Sequence, residues 1–142
     1  YEMQRSLVGS EMCIRDRAHE DDLADKDCLI IDSFGLLSSI YRYGQIAYIG
    51  GGFGAGIHNT LEAAVYGMPV LFGPRYHKFK EAKDLIAVGG GFSITDDSSF
   101  RTKMDELLTD PTALETSGQA AGDFVKNSVG ATDQILRQIH IR

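Results

Sequence analysis

One stretch of this chain, residues 48–74, reads YIGGGFGAGIHNTLEAAVYGMPVLFGP and leaves little freedom in how it can fold. Residues 46–49 are a short apolar, partly β-branched run of the kind that forms a strand buried on both faces. Five glycines then fall within seven residues, Gly50, Gly51, Gly52, Gly54 and Gly56. Such a loop takes backbone conformations closed to other residues and lets a second molecule approach the main chain. A helix follows at once: Asn59 is a good N-cap, Glu62 stands three residues later as in a capping box, and Leu61, Ala63, Ala64 and Val65 suit a helix. Gly67 ends it, Met68 and Pro69 make the turn, and Val70, Leu71 and Phe72 read as the next buried strand. A β-loop-α-β unit requires parallel strands and a right-handed crossover. Ligands of such sheets bind at the carboxyl ends of the strands, where a helix start beside glycines favours an anion.

The loop does not match the dinucleotide fingerprint. From Gly50, Gly52 or Gly54 the third glycine of G-x-G-x-x-G is missing, and the helix opens on His58, Asn59 and Thr60 rather than on a P-loop lysine. A phosphate cradle of another type is what remains. GGGF occurs twice, at 50–53 and 89–92, but the second copy follows a helix and precedes a strand, so its glycines read as a helix stop and a turn, not as a repeat.

Along the rest of the chain, 28–31 reads as an apolar strand headed by Cys28, which is expected to be a small buried core residue. Ser33 caps a helix through Tyr43 with Leu36, Leu37 and Ile40 as its apolar stripe. A loop over 73–78 leads to a helix at about 79–88, with Phe79, Ala82, Leu85 and Ile86 on one face. A strand over 92–94 follows, then a helix capped by Asp96 or Asp97 that carries Phe100, Met104, Leu107 and Leu108 and ends at Asp110 and Pro111. Two further helices, 111–127 and 132–141, close the chain. Alternating strands and helices predict a single α/β domain, a Rossmann-like open parallel sheet with helices on both faces.

Residues 1–17, YEMQRSLVGSEMCIRDR, have no periodicity and no obvious partner elsewhere in the chain. They resemble the translated read-through of a sequencing adapter and are set aside as non-native, so that the domain is taken as 18–142. They carry equal numbers of acids and bases, and the net charge of −6 resides in the remainder. That acidic balance, with no basic stripe, argues against nucleic acid as a partner. No apolar run approaches the ~20 residues of a membrane span, and nothing in the residue pattern points to a metal site.

The motifs Asp32-Ser33-Phe34-Gly35-Leu36-Leu37, 41–43, 47–51, His58-Asn59-Thr60-Leu61-Glu62-Ala63-Ala64, 67–74 and 77–81 occur in an order that resembles one family. They look like the C-terminal domain of 3-deoxy-D-manno-octulosonic acid (Kdo) transferases, which add Kdo to the lipid A precursor in Gram-negative bacteria. The resemblance covers about residue 28 to the end, and HNxLE followed by GxPVxFGP is its specific part. It implies the C-terminal half of a GT-B glycosyltransferase, whose donor is the sugar nucleotide CMP-Kdo. The acceptor-binding half, with the membrane anchor and the carboxylate base, is implied to lie outside this chain. No metal or other cofactor is implied for the transfer step. The full-length protein is then expected at the cytoplasmic face of the inner membrane, this fragment being soluble and inactive alone.

Carried over by residue, the donor site implied is Phe34, Gly35 and Leu36 at the first helix start and Asn59, Thr60, Leu61 and Glu62 at the second, with Gly52 in the loop. Amides at the helix starts would meet the phosphate, and Glu62 would accept hydrogen bonds from the ribose hydroxyls. This chain has Leu36 where many relatives carry an acid, and Ile57 where they often carry glycine. Asn59 and Glu62 would be wanted as a capping box with no ligand at all, but the flanking motifs turn the balance toward a ligand role. His58 reads equally as a phosphate donor and as a loop histidine. His77 and Lys78 are candidates for the sugar carboxylate, and Arg75 is a weaker one. Two other readings stay open at this point: a GT-B transferase or epimerase using a UDP-sugar, and a stand-alone flavodoxin-like module.

Overall fold

The computed structural model describes residues 13–15, 28–31 and 35–128. It divides into two compact units, 1–37 and 38–142. In the first, β1 (Cys13–Arg15) and β2 (Cys28–Ile30) pair in parallel, Cys13 opposite Cys28 and Arg15 opposite Ile30. Three residues of the segment expected to have no partner therefore have one. Cys28, expected in the core, is exposed, and Leu29 beside it is 48% exposed. A two-stranded ladder of three residues each has too little surface to build a core over either strand.

The second unit holds the sheet that carries the sequence argument. Helix α1 (Leu37–Ile40), at the division between the units, is a single turn that tightens into a 3₁₀ turn over Tyr41–Tyr43. The longer helix expected over 33–43 is not formed at Gly35 and Leu36, which lie in a turn and in irregular chain, and the helical part from Leu37 is too short to present a stripe. Leu36 and Leu37 are accordingly exposed, while Tyr41 packs on the core. The sheet is parallel with order β3-β4-β5: β3 (Ala47–Ile49), β4 (Val70–Phe72) and β5 (Gly91–Ser93). Ala47 faces Val70 across the first pair and Val70 faces Gly91 across the second. Strand β5 starts one residue earlier than the sequence predicts, at Gly91, which pairs with Val70 and lies so close to Leu85 that a side chain there would meet it at 2.9 Å.

Between the strands lie α2 (Leu61–Ala64) and α3 (Lys80–Ala87), and after them α4 (Asp97–Thr109) and α5 (Pro111–Ser128). Central strand β4 explains the two-layered cover. Val70 and Phe72 point to one face, where Ala63, Ala64, Ala82, Leu85 and Ala121 close over them. Leu71 points to the other, against Ile94 and Leu107, with Phe100, Met104 and Leu114 at the edge. All three β4 residues are fully buried, as a run without polar alternation requires. The expected fold class, an open parallel sheet with helices on both faces, holds.

Helix ends follow the local chemistry. Asp96 caps α4 through a reciprocal box, its carboxylate accepting from Ser99 N at 2.7 Å while Ser99 Oγ accepts from Asp96 N at 3.0 Å. Asp110 caps α5 by accepting from Thr112 N and Ala113 N. Gly89 and Gly90 close α3, with Gly90 N donating to Leu85 O, which is the stop-and-turn role read for the second GGGF. Helix α5 reaches the body of the domain because Gly118 lies against Gly67: an added side-chain carbon would sit 2.4 Å from the Gly67 carbonyl oxygen. The helix expected over 132–141 lies outside the described residues.

Candidate functional site

The glycine loop leaves β3 and folds on itself. Gly51 O accepts from Gly54 N at 2.8 Å and from Gly56 N at 3.2 Å, and Gly50 O accepts from His58 N at 3.2 Å. Gly51 has φ +86°, a conformation that disfavours any side chain. The second loop, after β4, is pressed onto the first: a carbon added to Gly52 would lie 2.5 Å from the backbone of Gly73. Gly52, expected to face the donor, is buried in this backbone-to-backbone contact.

Beyond the loop the chain enters α2, whose start differs from a simple capping box. Thr60 is the first flanking residue and makes no side-chain cap bond. Asn59 Oδ1 accepts from Leu61 N at 3.0 Å, two residues on, and Asn59 Nδ2 donates to Glu62 Oε1 at 2.9 Å. Glu62 thus reaches the side chain of Asn59 rather than its backbone amide. The reason is the position of Asn59, one residue ahead of the cap, where its side chain forms an Asx-type turn. Helix α2 itself is one turn, followed by the tighter bonds Tyr66 N to Ala63 O and Gly67 N to Ala64 O. A single turn has little macrodipole, so attraction for a phosphate rests on individual N–H groups. That of Leu61 is already engaged by Asn59.

Around this turn lies an open cavity of about 310 Å³ lined by Ile57, His58, Asn59, Thr60, Leu61, Phe79 and Glu81. Four of the residues singled out by sequence, His58 to Leu61, line it together, with Glu62 bonded to one of them. Thr60 is buried and His58 and Asn59 are exposed, so the polar tips of the last two face a ligand-sized space. Tyr41 feels the charge of Glu62: burial raises its hydroxyl above the ordinary tyrosine range, and the Glu62 carboxylate adds to the effect. His77 and Lys78 do not line the cavity. His77 lies against the ring of Tyr76, centroids 4.4 Å apart, and Lys78 is exposed. Phe34 lies outside the described residues. Gly35, with φ +85°, and the exposed Leu36 are in the first unit.

Three residues play parts that the sequence did not reveal. Phe79, expected on one face with Ala82, Leu85 and Ile86, does pack on the core with them; it is also the residue preceding α3, with extended φ −106° and ψ 108°, and a wall of the cavity. Glu81 carried no signal beyond being a charged helix residue. Arg75 donates from its backbone N to Gly52 O at 2.9 Å and from its guanidinium to Gly54 O at 2.7 Å, joining the two loops. A larger hollow of about 470 Å³, formed by Tyr48, Phe53, Ile94, Asp96, Asp97 and Phe100, is mostly apolar. Its two acids are committed, Asp96 to its cap and Asp97 to Arg101 at 2.7 Å. Among the described residues no group of three His, Cys, Asp or Glu could hold a metal ion, and no helix is long and apolar enough to cross a membrane.

No family model matches the chain. Among curated proteins it is similar to the 3-deoxy-D-manno-octulosonic acid transferase of Aquifex aeolicus, 39% identical over 85 residues, covering 58% of this chain and 24% of that protein. It is also similar to the enzymes of the same name from Rickettsia conorii, 33% identical over 80% of this chain and 25% of the relative, and Bordetella pertussis, 33% identical over 78% and 26%. The chain spans about a quarter of the length of these relatives. Among solved structures it is similar to the C-terminal CMP-Kdo binding domain of WaaA from Acinetobacter baumannii, with TM-score 0.63 and 26% identity, covering 70% of this chain and 53% of that one. The resemblance read from the motifs therefore holds in both sequence and fold.

Proposed function

We propose that this chain, similar as it is to Kdo transferases, is the donor-binding half of an inverting GT-B glycosyltransferase that moves Kdo from CMP-Kdo to a lipid A precursor. The observation that carries the reading is the turn at 58–62: Asn59 and Glu62, bonded to each other, stand beside a ligand-sized cavity that His58, Asn59 and Thr60 line. That turn follows the loop at the carboxyl end of β3, the end where ligands of parallel sheets bind. The relatives' name and the solved neighbour's CMP-Kdo binding support the choice of donor.

In this reading Glu62 accepts from the ribose hydroxyls through the oxygen lone pairs that Asn59 leaves open. N–H groups of the turn receive the CMP phosphate. Transfer forms a bond from an acceptor hydroxyl oxygen to the anomeric carbon of Kdo and breaks the bond to CMP. The electron pair leaves on the CMP phosphate, where donors fixed in advance stabilise it. The hydroxyl proton passes to a base supplied from outside this chain, as are the lipid-binding surface and the membrane association. Residues 1–17 take no part and are foreign to the protein; an intact native reading frame encoding SLVGSEMCIRDR upstream of residue 18 would overturn that.

Calorimetric titration of the chain with CMP, UMP and UDP tests the donor. CMP is expected to bind most tightly, and a preference for UDP would defeat the assignment. No binding of any of the three would defeat the nucleotide site altogether.

A further inference from the structure

We propose that Arg75 is a positioning residue of the donor site, a bolt that holds the two walls of the cavity at their working separation without touching the ligand. The inference rests on the donor-site reading above.

The two walls come from different loops. One is Ile57 to Leu61, at the far end of the glycine loop; the other is Phe79 and Glu81, at the far end of the loop that begins at Gly73. Each loop is braced within itself, the first by the bonds converging on Gly51 O, the second by Phe79 N donating to Tyr76 O at 2.8 Å. Arg75 joins one to the other twice, through its backbone N to Gly52 O at 2.9 Å and through a guanidinium N–H to Gly54 O at 2.7 Å. The joint lies next to the cavity wall, since Gly56 packs against the Phe79 ring, 3.1 Å from where a side-chain carbon would begin, and against Arg75 O. The backbone bond survives any substitution of Arg75 except proline. The guanidinium bond is the one that residue identity controls, and a charged donor to a carbonyl is among the stronger single bonds available.

A cation near an anion site invites a rival reading, in which Arg75 merely attracts the phosphate. The two differ in a neutral ligand. A positioning role weakens every ligand that needs both walls, charged or not, whereas long-range attraction acts on the anion alone and fades with salt.

The test is to titrate the chain and its Arg75→Ala and Arg75→Lys variants with CMP and with uncharged cytidine at low and high salt. Backbone amide exchange of Gly54 and Gly56 is followed without ligand. Arg75→Ala is expected to lose about tenfold in affinity for both ligands at both salt concentrations, the size of one charged hydrogen bond. It should also speed exchange at Gly54 and Gly56, while Arg75→Lys recovers part of each effect if its ammonium reaches Gly54 O. Loss confined to CMP and erased by salt would overturn positioning in favour of attraction. Unchanged affinity with unchanged exchange would overturn it outright. Failure of the unsubstituted chain to bind CMP or cytidine would instead remove the donor-site reading, and a variant that does not fold is replaced by Arg75→Lys, read by the same exchange.

Discussion

Asn59 and Glu62 are bound side chain to side chain, Nδ2 to Oε1 at 2.9 Å, while the other end of the Asn59 amide holds Leu61 N. One asparagine thus starts the helix turn and aims the carboxylate. Both jobs fail together in Asn59→Ala, but they separate in Glu62→Ala, which keeps the bond to Leu61 N. Glu62→Ala is expected to abolish measurable preference for CMP over its 2′,3′-dideoxyribose analogue and to cost about 0.5–1.5 kcal/mol of stability, the net worth of one hydrogen bond. Denaturant unfolding and calorimetry together check it. Unfolding of the variant with undiminished nucleotide affinity in the folded remainder would remove Glu62 from the ribose. Asn59→Asp should weaken binding more than Asn59→Ala, because it sets two carboxylates side by side.

Gly52 and Gly73 approach so closely that neither tolerates a side chain, an added carbon on Gly52 meeting Gly73 at 2.5 Å. Gly54, two residues on, has only ordinary contact, 3.6 Å to Gly51 O. Gly52→Ala is therefore expected to destabilise by about 1–3 kcal/mol through overpacking, and Gly54→Ala to stay within about 0.5 kcal/mol. Thermal unfolding of the pair decides it: equal effects would mean that the two loops can part without penalty.

The contrast between these glycines marks how far the residues could be read without coordinates. The strand at 70–72 was legible because three apolar residues in a row have no polar face to turn outward, and β4 is buried on both sides. A cap at Asp96 or Asp97, Gly67 as a helix stop and the order of strands and helices were legible for the same reason: each depends on neighbours within a turn. Residues 58–61 were legible as a group because one turn of chain brings them together whatever the rest of the fold does. The contact of Arg75 was not, since its partner Gly54 is 21 residues away and no local pattern encodes that approach. Phe79 packs on the core with Ala82 and Leu85 as expected, but its second place as a cavity wall depends on a loop that no local pattern encodes. Cys28 was expected in a core on the strength of an apolar run, but an apolar run is buried only where other layers cover it.

Asp96 gives a pH signature distinct from the site. Its carboxylate sits below the usual range, first because Ser99 N donates to it and then through the Ser99 hydroxyl beside it. A depressed carboxylate stabilises the fold above its unfolded pKa, about 4, and that contribution disappears as pH falls through the lower folded value. Asp96→Asn keeps a cap acceptor but has no proton to gain. The wild-type melting temperature should therefore fall more than that of Asp96→Asn between neutral pH and about pH 3. Parallel melting curves with a constant offset would show that Asp96 does not titrate through its cap.

Tyr41 reports on the charge of Glu62. Burial is the larger cause of its raised pKa and the Glu62 charge the smaller, so Glu62→Gln should bring the titration of Tyr41 down without returning it to the ordinary value of about 10. The difference in phenolate absorbance between the chain and its Tyr41→Phe variant isolates this one hydroxyl. The sign for stability is opposite to that of Asp96. A raised tyrosine pKa contributes below the unfolded value and is lost as pH climbs through the folded one, so the alkaline fall in melting temperature should be shallower in Tyr41→Phe. A nucleotide whose ribose occupies Glu62 alters the field that the hydroxyl feels, and saturating CMP should therefore shift the Tyr41 titration in the unsubstituted chain while leaving it unmoved in Glu62→Gln. A shift of equal size in both would place the ribose away from Glu62.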